Sequence, residues 1–342
     1  MENSFKCLIE DKEIKNTVNY IITETRKLNR NNITRTQAYL RFYLDNLEIK
    51  WSFLASMVSR NAGYYMTDLK SNLYRNVFSK EYRNRIFLTY EEGNWLIFDD
   101  AYPQLLLYEY SKKKKRPYFH LLKFFHVSTF MENEWNYFYK YKDGNRLMFS
   151  LIVNEQQMLQ KGVVNNVFFR KNVFQSFPFI VQDLIGASTV LFPNRKGELF
   201  GLKVKHFGEV KERIKLGWNL SGILFHPNYY DSFLQYAIRT EHTGSRLDYE
   251  RYSELGTFSD SPKLEEVYQT YHHIRTNFTD WYKSVNVKHQ ERKYIPLPKY
   301  IPKEISATFY KKSSLLKDTL FIEGELAGFF YKVTRRFLRN RK

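Results

Sequence analysis

The chain has 342 residues, 43% of them hydrophobic, and its 54 Lys and Arg against 36 Asp and Glu leave a net charge of +18. That length suffices for one large core or for about two domains of ~150 residues. A lone cysteine, Cys7, excludes an intramolecular disulfide and a multi-cysteine metal site, and no apolar run approaches the ~18 residues of a membrane span.

Helical periodicity dominates from the start. Ile14, Val18, Ile21, Ile22, Thr25 and Leu28 share one face of a first helix. Tyr39, Phe42, Tyr43 and Leu47 make a second, and Trp51, Leu54, Ala55 and Val58 a third. Gly63 is placed to end that third helix, with Thr67 and Asp68 capping the next. The basic run Lys112–Arg116 before Pro117 suits the C-terminal turn of a helix, where cations complement the dipole. Thr129 and Glu132 have capping-box spacing ahead of Trp135, Phe138 and Tyr139, and Leu147, Leu151 and Ile152 continue into a further helix. Thr189–Pro193, a turn at Asn194–Gly197 and Leu199–Val204 read as a hairpin. Ser261-Pro262 predicts a helix start leading into Leu264, Val267, Tyr268, Tyr271 and Phe278. The prolines of 294–302 break regular helix, and Leu326, Phe329, Phe330, Val333 and Phe337 then recur at helical spacing.

The expected fold is therefore mainly α, an irregular multi-helix bundle with at most one short β-hairpin at about 189–204. Residues 1–287 form the helical core domain, whole or as two sub-bundles. Residues 288–342 form a Pro-containing linker and a basic amphipathic C-terminal extension. The extension holds 14 Lys and Arg against 5 Asp and Glu, so it carries +9 of the +18. With no apolar stretch near Glu2, Glu10 and Asp11, the expected location is cytoplasmic.

Two polar runs interrupt the apolar pattern, Asn29–Thr36 and Ser59–Asp68. Buried Asn, Arg, Thr and Asp must find partners, so such runs mark helix-junction networks or a site. The same stretches, Asn32–Leu40 and Trp51–Asn61, together with Gly93–Leu105, His126–Glu132 and His242–Tyr249, resemble the YppC-like family of Bacillus relatives, a domain-of-unknown-function family. The resemblance runs from about residue 20 to about 285. It implies a cytosolic bacterial protein, largely helical, and brings no catalytic residues with it.

Known reaction motifs are missing. The eight histidines have no i, i+4 pair, and no Glu precedes a His by three. There is no Gly-Lys phosphate loop, no Gly-x-Gly-x-x-Gly and no Gly-x-Ser-x-Gly elbow. No metal or cofactor is expected, and whether the chain is an enzyme stays open. The densest cluster is His242 to Asp248: His242 can move protons near neutral pH, Arg246 can hold a carboxylate or phosphate, and Asp248 can orient the histidine. Asp99 and Asp100 lie between Trp95–Phe98 and Tyr102-Pro103, so one carboxylate is expected to face inward. Glu155 follows an apolar run and is placed similarly, while Arg60, Asn61 and Asp68 come from the second polar run.

Three functions fit. The first is a non-enzymatic binding protein that engages an acidic partner, nucleic acid or an anionic membrane surface, through Lys332, Arg335, Arg336, Arg339 and Arg341. The 29 Phe, 27 Tyr and 5 Trp would add stacking, although AT-rich codon usage enriches Phe and Tyr as well. The second is an enzyme or small-molecule binder whose pocket gathers Arg60, Asn61, Asp68, Asp99, Glu155, His242, Arg246 and Asp248 around an anionic ligand. The third is a structural or scaffold protein in which the polar runs only join helices.

Overall fold

Small side chains at intervals of three and four residues bring two helices into close contact and set the frame for the rest. Helices α2 (Asn32–Asp45) and α3 (Lys50–Asp68) form an α-hairpin. Ser52, Ser56, Ser59 and Gly63 line the α3 face toward α2. There Ser52 Oγ donates to Tyr39 O at 2.9 Å, Ser56 Oγ to Thr36 O at 3.0 Å, and Asn32 Nδ2 to Ser59 O at 2.8 Å. The computed structural model describes residues 2–171, 189–255, 260–275, 278–283 and 302–311, except for the side chains of 2–11 and of Val77.

Around this pair run α1 (Glu2–Leu28), α4 (Asn72–Val77), α5 (Lys80–Lys114), a 3-10 segment (Phe119–Phe125), α6 (Thr129–Tyr141) and α7 (Gly144–Leu159). A π-helical segment, Gln160–Val164, continues α7, and α8 is the short Val167–Phe169. Beyond it come strands β1 (Thr189–Pro193) and β2 (Leu199–Lys203), then α9 (Val210–Leu224), α10 (Tyr230–Arg239), α11 (Leu247–Glu250) and α12 (Leu264–Val267). The protein is mainly helical with one antiparallel hairpin, in register at Leu191↔Gly201. Phe192 and Phe200 of the hairpin pack on Phe233 of α10. One contiguous core reaches from Ile21 to Tyr310.

Three local expectations are corrected. Helix α3 does not end at Gly63 but runs to Asp68, because that glycine is needed for close approach to α2, and Ser71 caps α4 instead. The cap of α6 is Ser128, whose side chain accepts from Met131 N, one residue before Thr129. Ser261-Pro262 opens only the single turn of α12; Ser261 Oγ instead shares a 2.7 Å hydrogen bond with Thr67 Oγ1. From Tyr268 to Arg275 the chain is a non-helical strap along α5, with Tyr268 stacked on Phe87 at 3.6 Å and His273 on Trp95 at 5.1 Å.

As expected, α5 ends in the lysine run, with Lys115 in the left-handed region at φ 53°. Residues 302–311 return to the hairpin, where Ile305 N donates to Leu199 O and Leu199 N donates to Ser306 Oγ, both at 2.8 Å. The linker before Pro302 and the basic helix expected from Leu326 lie outside the described residues, as do Lys332, Arg335, Arg336, Arg339 and Arg341. No described helix is long and apolar enough to cross a membrane.

Candidate functional site

The sequence-selected residues fall into three groups. Arg60, Asp68, His242, Arg246 and Asp248 form one buried network between the C-terminal half of α3 and the 240–250 segment. Asn32 Oδ1 lies 2.8 Å from His242 Nε2, and His242 Nδ1 lies 3.5 Å from Asp248 Oδ2. Thr243 gives both its backbone N–H and its hydroxyl to Asp248, and Ser245 Oγ donates to Ser261 O. Burial pushes His242 down to about 4, against the pull of Asp248 and with the help of Arg60, so the ring is neutral at neutral pH. Arg246 Nε donates to Asp68 Oδ2 at 2.6 Å and its Nη1 to Tyr249 Oη at 2.7 Å. Arg60 Nη2 donates to Thr240 O, and its guanidinium lies 4.9 Å from the Tyr236 ring centroid. The two hydroxyls are thus spent within the loop and on Ser261, while Arg60 and Arg246 hold α3 to the segment that follows α10.

The first polar run builds a second network. Arg35 Nη2 pairs with Glu91 Oε2 at 2.6 Å, both side chains buried, and Asn31 closes a capping box with Thr34. Near the middle of α5, Asp100 is the inward carboxylate and is 1% exposed. It accepts from Asn154 Nδ2 at 2.6 Å and Gln104 Nε2 at 2.8 Å, and burial raises it to about 6. Its neighbour Asp99 lies 3.5 Å from the strap's Arg275, which also comes within 3.8 Å of Asp100.

Asn61 and Glu155 form the third group, together with residues that sequence reasoning assigned only to helix faces. They line a cavity of about 250 Å³ between α3, α5, α7 and α9, closed in part by Tyr39 of α2 and Val190 of β1. Its wall is mostly apolar, including Leu54, Val58, Ile86, Ile97, Ile152, Leu159, Val163, Leu216 and Leu220. Polarity enters at few points. Glu155 faces the space from α7, and burial pushes its carboxyl up to about 7 against the Trp51 N–H, Arg213 and Gln156.

Arg213 of α9 is buried and makes no ion pair among the described residues. Its Nε donates to Gln156 Oε1 at 2.9 Å, its Nη2 to Gln160 Oε1 at 2.8 Å and its Nη1 to Phe207 O. Burial lowers its pKa to about 10, which leaves it cationic at neutral pH. Tyr39 Oη and Asn61 Oδ1 are buried with no hydrogen-bond partner among the described residues, both shut off from the open space by neighbouring atoms. Tyr39 and Asn61 belong to the cavity wall; Trp51 does not, and its N–H is directed at the Glu155 carboxyl.

Of the eight residues selected as a pocket, then, Asn61 and Glu155 line this cavity, and Arg60, Asp68, Asp99, His242, Arg246 and Asp248 do not. The carboxylate was legible as a charge in an apolar run. Tyr39 and Arg213 carried no comparable signal, because a buried ring or a helix arginine reads the same with or without a cavity beside it.

The model of the family described as "Protein of unknown function (DUF2515)" matches residues 27–307, which is most of the chain. The chain belongs to this family. It is 44% identical over 274 residues to a protein of Bacillus subtilis (strain 168) described as "Uncharacterized protein YppC", a match covering 80% of this chain and 85% of that one. The family match takes in α2 through α12 and reaches the 302–307 stretch that returns to the hairpin, so both the cavity and the buried networks fall inside it. No solved structure matches the chain.

Proposed function

We propose that this family member binds a small molecule in the cavity between α3, α5, α7 and α9. One observation carries the reading: a mostly apolar space of about 250 Å³ between four helices meets charge at few points, Glu155 and the buried Arg213. Sites for small molecules share this design, an apolar wall with a few polar groups that fix orientation. The test is a thermal-shift series with three probes of matched size, octanoate, octylamine and octanol, on the wild type and on Val58→Phe, which fills the wall. At least one probe should raise the melting temperature of the wild type by a few degrees and leave the variant unmoved. No shift with any probe would remove the reading.

The charge distribution supports a second reading. The last 55 residues carry +9, a density suited to an acidic partner such as nucleic acid or an anionic membrane surface. Truncation after Lys311 spares the stretch that bonds to the hairpin and removes Lys332, Arg335, Arg336, Arg339 and Arg341. The full chain should then bind DNA or anionic liposomes with steep salt dependence and the truncated chain should not; equal binding by the two would sink this reading.

A further inference from the structure

We infer that the cavity takes an uncharged, largely hydrocarbon molecule and turns away organic ions of the same size. The inference rests on the ligand-binding reading of the same cavity and names the class of ligand. Polar side chains on the wall spend their hydrogen bonds on the protein itself. Asn61 Nδ2 donates to Leu191 O at 2.7 Å, and Tyr65 Oη donates to Thr189 O at 2.8 Å while accepting from Thr189 N. Ser59 Oγ accepts from Thr36 Oγ1 at 2.8 Å. Thr89 and Asn94 donate back to the carbonyls of Arg85 and Tyr90 on α5 itself. With those groups engaged, the surface left to the cavity is mostly carbon.

The two charged groups of the wall answer each other. Gln156 bridges them: its Nε2 donates to Glu155 Oε1 at 2.8 Å, and its Oε1 accepts from Arg213 Nε at 2.9 Å. Arg213 commits Nη1 to Phe207 O and Nη2 to Gln160 Oε1, and the Trp51 N–H is directed at the Glu155 carboxyl. An anion brought beside Arg213 would therefore stand close to Glu155, and a cation beside Glu155 would stand close to Arg213. Either would give up its hydration for a wall whose polar groups are already engaged, a loss that apolar contact does not make good. An uncharged molecule gives up little.

Size favours a hydrocarbon body of moderate length. A dry cavity of about 150 Å³ lined by Leu, Ile and Phe holds benzene, so one of about 250 Å³ has room for a body roughly two-thirds larger. Branched side chains from four helices close on that space: Leu54 and Val58 of α3, Ile97 of α5, Ile152 of α7 and Leu220 of α9. Tyr65 and Tyr90 add a stacked pair of rings, their centroids 6.1 Å apart.

Calorimetric titration of the full chain at pH 8, above the value of about 7 at which Glu155 ionises, tests the inference. Octanol should bind, with octanoate and octylamine at least about ten-fold weaker or silent. From butanol through hexanol to octanol, each added methylene should tighten binding about four-fold, the effect of burying one CH₂. Val58→Phe fills the space from α3, and Ala62→Leu fills it one turn further along; whichever variant keeps the wild-type circular dichroism should lose octanol binding. Octanoate or octylamine within about ten-fold of octanol, or an affinity that does not grow from butanol to octanol, overturns the uncharged hydrocarbon assignment alone. Failure of every probe, or octanol binding that survives in the filled variants, overturns the cavity reading beneath it.

Discussion

Gly63 condenses the argument at the scale of a residue. As sequence it is a helix stop; in the fold it lies within α3, where an added Cβ would sit 2.4 Å from Asn32 Oδ1 and 3.0 Å from His242 Cε1. Asn32 cannot yield easily, since its amide also donates to Ser59 O. In an unconstrained helix Gly→Ala gains about 1 kcal/mol. Here the methyl would wedge into the Asn32–His242 hydrogen bond, and Gly63→Ala should instead destabilise by about 1–3 kcal/mol in urea unfolding. A stabilised variant would show that the α2–α3 contact is looser than its hydrogen bonds indicate. The neighbouring carboxylates Asp99 and Asp100 show the limit of reading single residues. The alternation of apolar and acidic positions announced one inward carboxylate; which of the two it was depended on the phase of α5 against α7, where Asn154 waits for Asp100.

At the scale of an element, the strap after α12 depends on ionisable groups. Glu91 of α5 is shared between Arg35 at 2.6 Å and His273 at 3.7 Å, and His273 Nδ1 lies 2.5 Å from Glu92. Although burial opposes it, these contacts with Glu91 and Glu92 push His273 up to about 9. Its pKa in the unfolded chain is about 6.5, so the folded state holds the proton more tightly. The stabilisation is fully present below that unfolded value and is lost as pH rises through about 9. His273→Gln should therefore be less stable than the wild type by about 1–2 kcal/mol at pH 6, with the gap closing by about pH 10. Urea midpoints of the two proteins at a series of pH values measure that gap, and a constant gap would mean that packing on Trp95 rather than charge fastens the strap.

At the scale of the molecule, the five tryptophans Trp51, Trp95, Trp135, Trp218 and Trp281 come from distant parts of the chain and are all buried in one core. Helices joined through a single core lose their contacts together. Tryptophan fluorescence and far-UV circular dichroism should then report coincident urea transitions. Two separated transitions would divide the described residues into sub-bundles that fold independently.

Much of this was written in the chain itself. Helix faces, the lysine-run stop at Lys115 and the hairpin at 189–203 are local matters of periodicity, capping and turn chemistry, and the sequence alone determined them. It also marked Asn29–Thr36 and Ser59–Asp68 as groups that must find partners, since burying unpaired polar atoms is costly. The partners themselves were decided only by tertiary structure: Ser59 for Asn32, Glu91 for Arg35 and the 240–250 segment for α3. The same holds for the strap, which kept the composition of a helix but lay down non-helical because α5 offered rings and carboxylates to its side chains. A cavity is the extreme case. It is where side chains from four helices fail to meet, and no local pattern in any one of them records that failure.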